Sequence, residues 1–303
     1  MQLSPRIEQA ILNHGLPSDF SKTVNDYYAP LASKLNNDIS QLATSLTTPR
    51  TQFIGIQGSQ GSGKSTCADF LRVILESEYN LRVLAVSIDD FYLTLSERQQ
   101  LAKTVHPLLI TRGVPGTHDV DMIQAVFDNA EQQQTFTVPR FNKAIDDRAQ
   151  NSEWQNIDSS LDVVILEGWC VGISAQDSQL LDQPCNELER DEDESGKWRQ
   201  LINDKLANEY QDLYARLDHL ITLQVPSFDC VFAWRLLQEQ KMIDRLSLQN
   251  KDMSKAQTPE QLERFIAHYQ RLTEHALEMM PNLADYVLKI DDQHRITQLL
   301  SNR

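Results

Sequence analysis

Phe53-Ile54-Gly55-Ile56-Gln57-Gly58-Ser59-Gln60-Gly61-Ser62-Gly63-Lys64-Ser65-Thr66 is the stretch around which the chain is read. Its first residues form an apolar run, the signature of a buried strand. Gly58, Gly63, Lys64 and Ser65 then fit the spacing G-x-x-x-x-G-K-[ST]. The chemistry asks for these residue types. Glycines let successive backbone N–H groups turn inward toward phosphate oxygens. A following helix brings its positive end to the same point. Lys64 is placed to reach the β- and γ-phosphates, and the Ser65 hydroxyl to ligate Mg²⁺. Ser59, Gln60, Gly61, Ser62 and Thr66 complete the expected nucleotide-binding loop. A glycine-rich joint without chemistry is the bland reading. Against it, Cys67, Phe70, Leu71, Ile74 and Leu75 continue at helical spacing, so the loop stands between a strand and a helix as a phosphate site requires.

The bulk numbers bound the rest. A chain of 303 residues with 41% hydrophobic residues can fill one large α/β domain. A formal charge of −15 argues against a nucleic-acid scaffold, which carries a basic footprint. Cys67, Cys170, Cys185 and Cys230 are scattered, without a C-x-x-C pair, which suits a reducing compartment rather than a disulfide framework. No signal core follows Met1, and no apolar run reaches membrane-span length. The expectation is a soluble cytoplasmic protein with no membrane or nucleic-acid partner.

Outward from the loop, residues 1–50 read as a helical extension packed on a main domain of residues 51–303. Thr47-Thr48-Pro49-Arg50 reads as the turn into the first strand. Arg82–Ile88 reads as a second strand that ends in Asp89-Asp90-Phe91-Tyr92. Ligands of open α/β sheets sit outside the carboxyl ends of strands. Two carboxylates there, one strand along from the phosphate loop, are placed for chemistry, although an Asp-rich turn is also an ordinary cap. Residues 93–119 show little regular pattern and end in a shaped Gly-Pro-Gly loop, where Arg112 and His118 are candidate substrate contacts. Thr135–Val138 reads as a short strand. Arg140, Lys143 and Arg148 then cluster in an otherwise acidic chain. Such a run is commonly a solvated face, yet a small acidic substrate needs fixed cations of this kind. Asn142-Lys143 resembles a guanine-reading motif, but Ile145 stands where its Asp belongs.

Leu161–Trp169 reads as a buried strand ending in Glu167, a second acid able to reach Mg²⁺. Residues 186–196 read as an exposed acidic insertion. A helix through Trp198–Leu217 and a strand His219–Val225 follow. A helix over Ser227–Leu246 carries Arg235, Lys241 and Arg245, with Arg235 as the candidate lid cation. Thr258-Pro259-Glu260-Gln261 is a strong helix start, and that helix is expected to stop near Pro281. Tyr286–Ile290 reads as the last strand.

Strands alternating with helices imply a mostly parallel sheet flanked by helices, an α/β fold of the P-loop NTPase type. Ser87-Ile88-Asp89-Asp90-Phe91-Tyr92 after such a loop resembles the uridine kinase, phosphoribulokinase and pantothenate kinase group. The resemblance narrows with further motifs in order. They are Arg112-Gly113-Val114-Pro115-Gly116-Thr117-His118-Asp119, Val138-Pro139-Arg140-Phe141-Asn142-Lys143, Glu167-Gly168-Trp169 and Trp234-Arg235-Leu236-Leu237-Gln238-Glu239. Together they resemble plant-type D-glycerate 3-kinases and their bacterial and fungal relatives, over about residues 50–290. The resemblance implies ATP and Mg²⁺, phosphorylation of the 3-hydroxyl of glycerate, and Asp89 rather than Asp90 as the base. It depends on Lys64 and Arg235 at the transferring phosphate, on Asp90, Tyr92, Arg112, His118, Arg140, Lys143 and Arg148 around the acceptor, and on Ser65, Glu167 and Asp89 about the metal. The departures are Gly61-Ser62-Gly63-Lys64-Ser65-Thr66 where the plant enzymes carry Gly-Cys-Gly-Lys-Thr-Thr, Phe141-Asn142 where they carry Tyr-Asp, and the acidic insertion at 186–196. The residues by themselves also admit a kinase for a neutral alcohol such as a nucleoside or pantothenate-like acceptor, and a nucleotide-dependent switch or assembly factor.

Overall fold

A computed structural model describes residues 3–45, 50–158, 160–248 and 258–303 of the chain. Thr47, Thr48 and Pro49 of the expected entry turn, and the side chains of Lys241 and Arg245, lie outside that set.

The strands run β1 (Gln52–Gly58), β2 (Val83–Ser87), β3 (Phe136–Val138), β4 (Phe141–Asn142), β5 (Asp147–Arg148), β6 (Gln155–Ile157), β7 (Val163–Gly168), β8 (His219–Gln224), β9 (Tyr286–Ile290) and β10 (Ile296–Ser301). Six of them form the central sheet in the order β10-β9-β8-β1-β7-β2. All neighbours are parallel except β10, which returns antiparallel along β9. The sheet is therefore mostly parallel with helices on both faces. Two corrections follow. β7 lies between β1 and β2, so the Asp pair after β2 is two strands from the phosphate loop, not one. The last strand is β10, not β9.

Alternation along each strand divides the core in two. Phe53, Leu84, Val86, Val164, Leu166 and Val287 face one side, under Ile123, Phe127, Tyr210, Tyr269 and Leu272. Ile54, Ile56, Val163, Ile165, Ile221 and Leu288 face the other, under Phe70, Leu71 and Ile74 of the phosphate-loop helix Lys64–Tyr79. The N-terminal helices Pro5–Asn13 and Ala29–Ser45 add Ile7, Ile11, Leu31 and Leu35 to that second core. Phe70 is their docking point, with ring centroids 5.4 Å from Phe20 and 5.6 Å from Tyr28.

Outside the sheet, β3 pairs with β6 and β4 with β5, both antiparallel. This ribbon carries the basic segment. Residues 93–119, expected to be irregular, contain the helix Leu95–Thr104, started by a capping box between Thr94 and Glu97. The acidic insertion is also ordered. It forms the helix Glu187–Glu192, with Glu189 and Asp193 buried in ion pairs to Arg271 and Arg199. Burial of two carboxylates requires such partners, so the segment is not an exposed run. The helix Pro259–Leu283 passes Pro281 by two residues and ends within a turn of it, Pro281 having no N–H to donate to the preceding turn.

Candidate active site

The phosphate loop leaves β1 as its spacing requires. A Cβ on Gly58 would come within 2.5 Å of Ser62 Oγ, so no larger residue fits there. Gly63 is left-handed at φ +89° and starts the helix, and Cys67 N donates to its carbonyl at 2.9 Å. The loop N–H groups and the helix end thus form an anion seat.

The register of the sheet brings the acids to this seat. Glu167 pairs with Ile56 of β1 on one side and Ser87 of β2 on the other. It shares the face of Val163 and Ile165, where the phosphate-loop helix packs. Ser65 Oγ accordingly donates to Glu167 Oε1 at 2.8 Å. Glu167 Oε2 is buried with no hydrogen-bond partner among the described residues. A hydroxyl, one carboxylate and an orphaned oxygen beside a phosphate seat fit Mg²⁺, which keeps waters and substrate phosphates and uses few protein ligands. Among the described residues no group of three His, Cys, Asp or Glu could cage a metal.

Asp89 and Asp90 point different ways from the one-turn helix Ile88–Phe91. Asp89 Oδ1 accepts from Tyr92 Oη at 2.6 Å and Oδ2 from Lys143 Nζ at 2.6 Å. Burial pushes its carboxyl pKa up. The charges of Lys143 and Lys64, with the Lys143 and Tyr92 hydrogen bonds, outweigh that and hold it at about 2. Burial, followed by the Asp89 charge, keeps the Tyr92 hydroxyl protonated. Asp90 instead accepts from Arg140 at 2.8 Å and from Phe141 N at 3.2 Å, which docks the ribbon. Asp90 and Arg140 line a cleft of about 440 Å³ together with Ser65 and Glu167. Asp90 thus shares this cleft with the Ser65–Glu167 pair.

The remaining sequence candidates divide. His118 is buried, stacked on Tyr92 at 4.8 Å, with Nδ1 2.7 Å from Tyr210 Oη. Burial pulls its pKa down to about 4, so it is a neutral support for Tyr92. Arg148 turns inward and donates to the Tyr92 carbonyl at 3.1 Å and to Asp119 at 3.2 Å. Arg112 pairs with Asp146 and lies over the Phe141 ring at 5.6 Å. Arg235 and Arg112 both lower the Tyr269 hydroxyl pKa, against burial and Asp89, which raise it. Arg235 lies on the helix Phe228–Leu248.

Two contributors, Tyr269 and His294, carry no sequence signal of their own, and Trp169 of the Glu167-Gly168-Trp169 motif acts beside them. Tyr269 Oη donates to the Arg112 carbonyl at 2.9 Å, and Trp169 Nε1 to the Gly113 carbonyl at 2.8 Å. His294, left-handed at φ 61°, donates from Nε2 to the Gly61 carbonyl at 2.9 Å. Trp234 stacks on His294 with ring centroids 3.6 Å apart. Beside them, Gly61, Ser62, Gly63 and Thr66 share a cleft of about 840 Å³ with Tyr27 and His294.

Comparison with known proteins agrees with this architecture. A sequence model of the phosphoribulokinase / uridine kinase family matches residues 53–183. The chain is 32% identical over 235 residues to the uncharacterized kinase mug58 of Schizosaccharomyces pombe, covering 73% of this chain and 79% of that protein. It is 28% identical over 228 residues to the chloroplastic D-glycerate 3-kinase of Arabidopsis thaliana, covering 71% of this chain but 45% of that protein. In fold it is similar to a D-glycerate 3-kinase of Cryptococcus neoformans, with TM-score 0.73 at 24% identity, over 91% of this chain and 99% of that one. The strand-seated phosphate loop, the Ser65–Glu167 pair and the Asp pair after β2 thus sit in a chain that belongs to the phosphoribulokinase and uridine kinase family of P-loop kinases.

Proposed function

We propose that this small-molecule kinase transfers the γ-phosphoryl group of ATP to the 3-hydroxyl of D-glycerate. The placement of Asp89 carries the reading. Its carboxylate lies under the influence of the phosphate-loop Lys64 on one side and holds Lys143 of the basic ribbon on the other. A base beside both a phosphate seat and a cation suits an acceptor that has a hydroxyl and a negative charge. The glycerate kinase relatives support that choice of acceptor.

In the proposed reaction the acceptor oxygen attacks the γ-phosphorus in line. The bond from the γ-phosphorus to the bridging oxygen breaks and ADP leaves. The hydroxyl proton passes to Asp89. Lys64 and Arg235 neutralise charge on the transferring group. Ser65 and Glu167 would hold Mg²⁺, which supplies positive charge at the β- and γ-phosphate oxygens. The cleft beside Gly61 and His294 takes the nucleoside end of ATP. Arg112 and Lys143 face the acceptor, whereas Arg140 and Arg148 hold the ribbon and the Tyr92 backbone in place.

One observation favours a neutral acceptor instead. Lys143, Arg140, Arg148 and Arg112 are each already paired with a carboxylate, namely Asp89, Asp90, Asp119 and Asp146. A cavity balanced in this way needs no anion. The deciding experiment is ATP consumption with Mg²⁺, with and without D-glycerate, and location of the product phosphate by NMR. Glycerate-dependent formation of 3-phosphoglycerate is expected. Turnover of uridine or a pantothenate-like alcohol without turnover of glycerate reverses the ranking.

A further inference from the structure

The proposed base is covered by two of its neighbours. Asp89 presents two carboxylate oxygens, and each already accepts a short hydrogen bond, from Tyr92 Oη and from Lys143 Nζ. The two donors differ in freedom. Tyr92 is buried, stacked on His118 and edge-on to Phe141 at 5.1 Å, and its carbonyl is held by Arg148. It cannot withdraw without unpacking the site. The Lys143 side chain is 60% exposed and sits in the short turn between β4 and β5, while that of Asp89 is 25% exposed. The approach to Asp89 that Tyr92 leaves open is therefore the one that the Lys143 ammonium occupies.

An acceptor hydroxyl that is to hand its proton to Asp89 must displace this ammonium. A neutral alcohol offers Lys143 nothing in exchange for a carboxylate. A hydroxy acid offers a carboxylate of its own, and an ammonium at the end of four rotatable bonds can follow it. The neighbouring arginines are not placed for this exchange, because Arg140 and Arg148 of the ribbon and Arg112 of the preceding loop are paired with Asp90, Asp119 and Asp146 and no hydrogen bond joins them to the base among the described residues.

We propose that Lys143 is the residue that selects acidic over neutral acceptors, closing over Asp89 until the carboxylate of a small hydroxy acid draws it away. This rests on the reading of the chain as a hydroxy-acid kinase with Asp89 as base, and adds that the same lysine both binds the acid and withholds the base from neutral alcohols.

The test compares D-glycerate with glycerol, which keeps the hydroxyls and lacks the carboxylate, under saturating Mg²⁺-ATP. Three proteins are assayed: wild type, Lys143→Met and Lys143→Arg. The expected pattern is a crossing of preferences. Lys143→Met weakens glycerate, chiefly through KM and by about tenfold or more, the scale of a lost charge-assisted contact. The same variant raises kcat for glycerol by about threefold or more, since nothing then covers the base. Lys143→Arg keeps the charge and the preference for glycerate. A lysine that merely held the ribbon would lower both acceptors together, and a parallel loss overturns the proposal while leaving the glycerate reading intact. A glycerol rate unchanged in Lys143→Met also overturns it, because nucleotide phosphate alone would then be releasing the base. Wild type that prefers glycerol, or turns over neither compound, overturns the underlying reading and this proposal with it.

Discussion

Asp89 is held by groups of opposite mobility, and its replacement separates chemistry from binding. Asp89→Asn keeps the shape and the Tyr92 contact but removes the proposed proton acceptor. The expected loss is about 10²- to 10⁴-fold in kcat, with ATP affinity retained. Steady-state kinetics alongside nucleotide titration check both halves, and full turnover in the variant would remove Asp89 from the chemistry. The titration of buried groups gives a second expectation. The ordinary carboxylate value for Asp89 is 3.8 and its folded value about 2, so its contribution to stability is complete above pH 3.8 and is lost as pH falls through 2. His118 and His268 behave differently. Burial lowers each from 6.5 to about 4. The unfolded chain then binds more protons than the folded one between those values, and stability is lost as pH falls from 6.5 to 4. Each contributes a slope of up to about 1.4 kcal/mol per pH unit. Calorimetry across that window should show a falling Tm, and His268→Gln should reduce the slope without touching the proposed site. Lys64, Ser65, Glu167 and Asp89 were readable in the sequence because a local motif and strand ends specify them. His294 and Tyr269 were not. A lone His in a polar turn and a Tyr on an apolar helix stripe acquire their roles from elements distant in the chain.

Elements show where local signals suffice and where they do not. The helix Leu95–Thr104 was hidden because its apolar residues form no stripe, though its start, Thr94 with Glu97, was in plain view. The acidic helix Glu187–Glu192 was misread because its partners, Arg271 and Arg264, lie in the C-terminal helix about eighty residues later. The loop Arg112–Asp119 gives the sharpest test at this scale. Gly113 sits at φ +126°, and a Cβ there would lie 2.0 Å from Tyr269 Oη and 2.6 Å from its Cζ. The overlap involves the ring as well as the hydroxyl, so Tyr269 cannot yield by rotating its proton. Gly113→Ala combines a forbidden backbone angle with this clash and is expected to cost roughly 3 kcal/mol or more. Urea unfolding measures it. Because the loop carries Arg112 and its carbonyl is the Tyr269 acceptor, acceptor KM should rise in whatever folded protein remains. A variant of native stability would mean that the loop and the C-terminal helix part more easily than their contacts imply.

At the scale of the whole molecule, alternating strands and helices made the α/β class legible, but not the strand order. The crossover from β2 to β7 runs through residues 88–162, and no local pattern states that the chain returns between β2 and β1. That return is what places Glu167 between the phosphate loop and the Asp pair, so the site depends on a global feature. The N-terminal helices belong to the same argument. Leu31 and Leu35 are fully buried, and His14, Phe20 and Tyr28 surround Phe70 on the phosphate-loop helix. The phosphate-loop helix is therefore docked to the extension at Phe70. A fragment of residues 50–303 would expose Phe70, which His14, Phe20 and Tyr28 surround, and the other second-core surface on which Ile7, Ile11, Leu31 and Leu35 pack, at about 1.5–3 kcal/mol for each large apolar side chain. Losses of that size approach the whole stability of a domain. The fragment is expected to lose its near-ultraviolet circular dichroism, to bind a hydrophobic dye and to bind ATP weakly, while retaining much of its helix signal. The single substitution Leu31→Ala should point the same way at about 2–5 kcal/mol, with ATP affinity preserved once the protein is folded. A fragment that unfolds cooperatively and binds ATP as the full chain does would make the extension an accessory rather than a part of the second core.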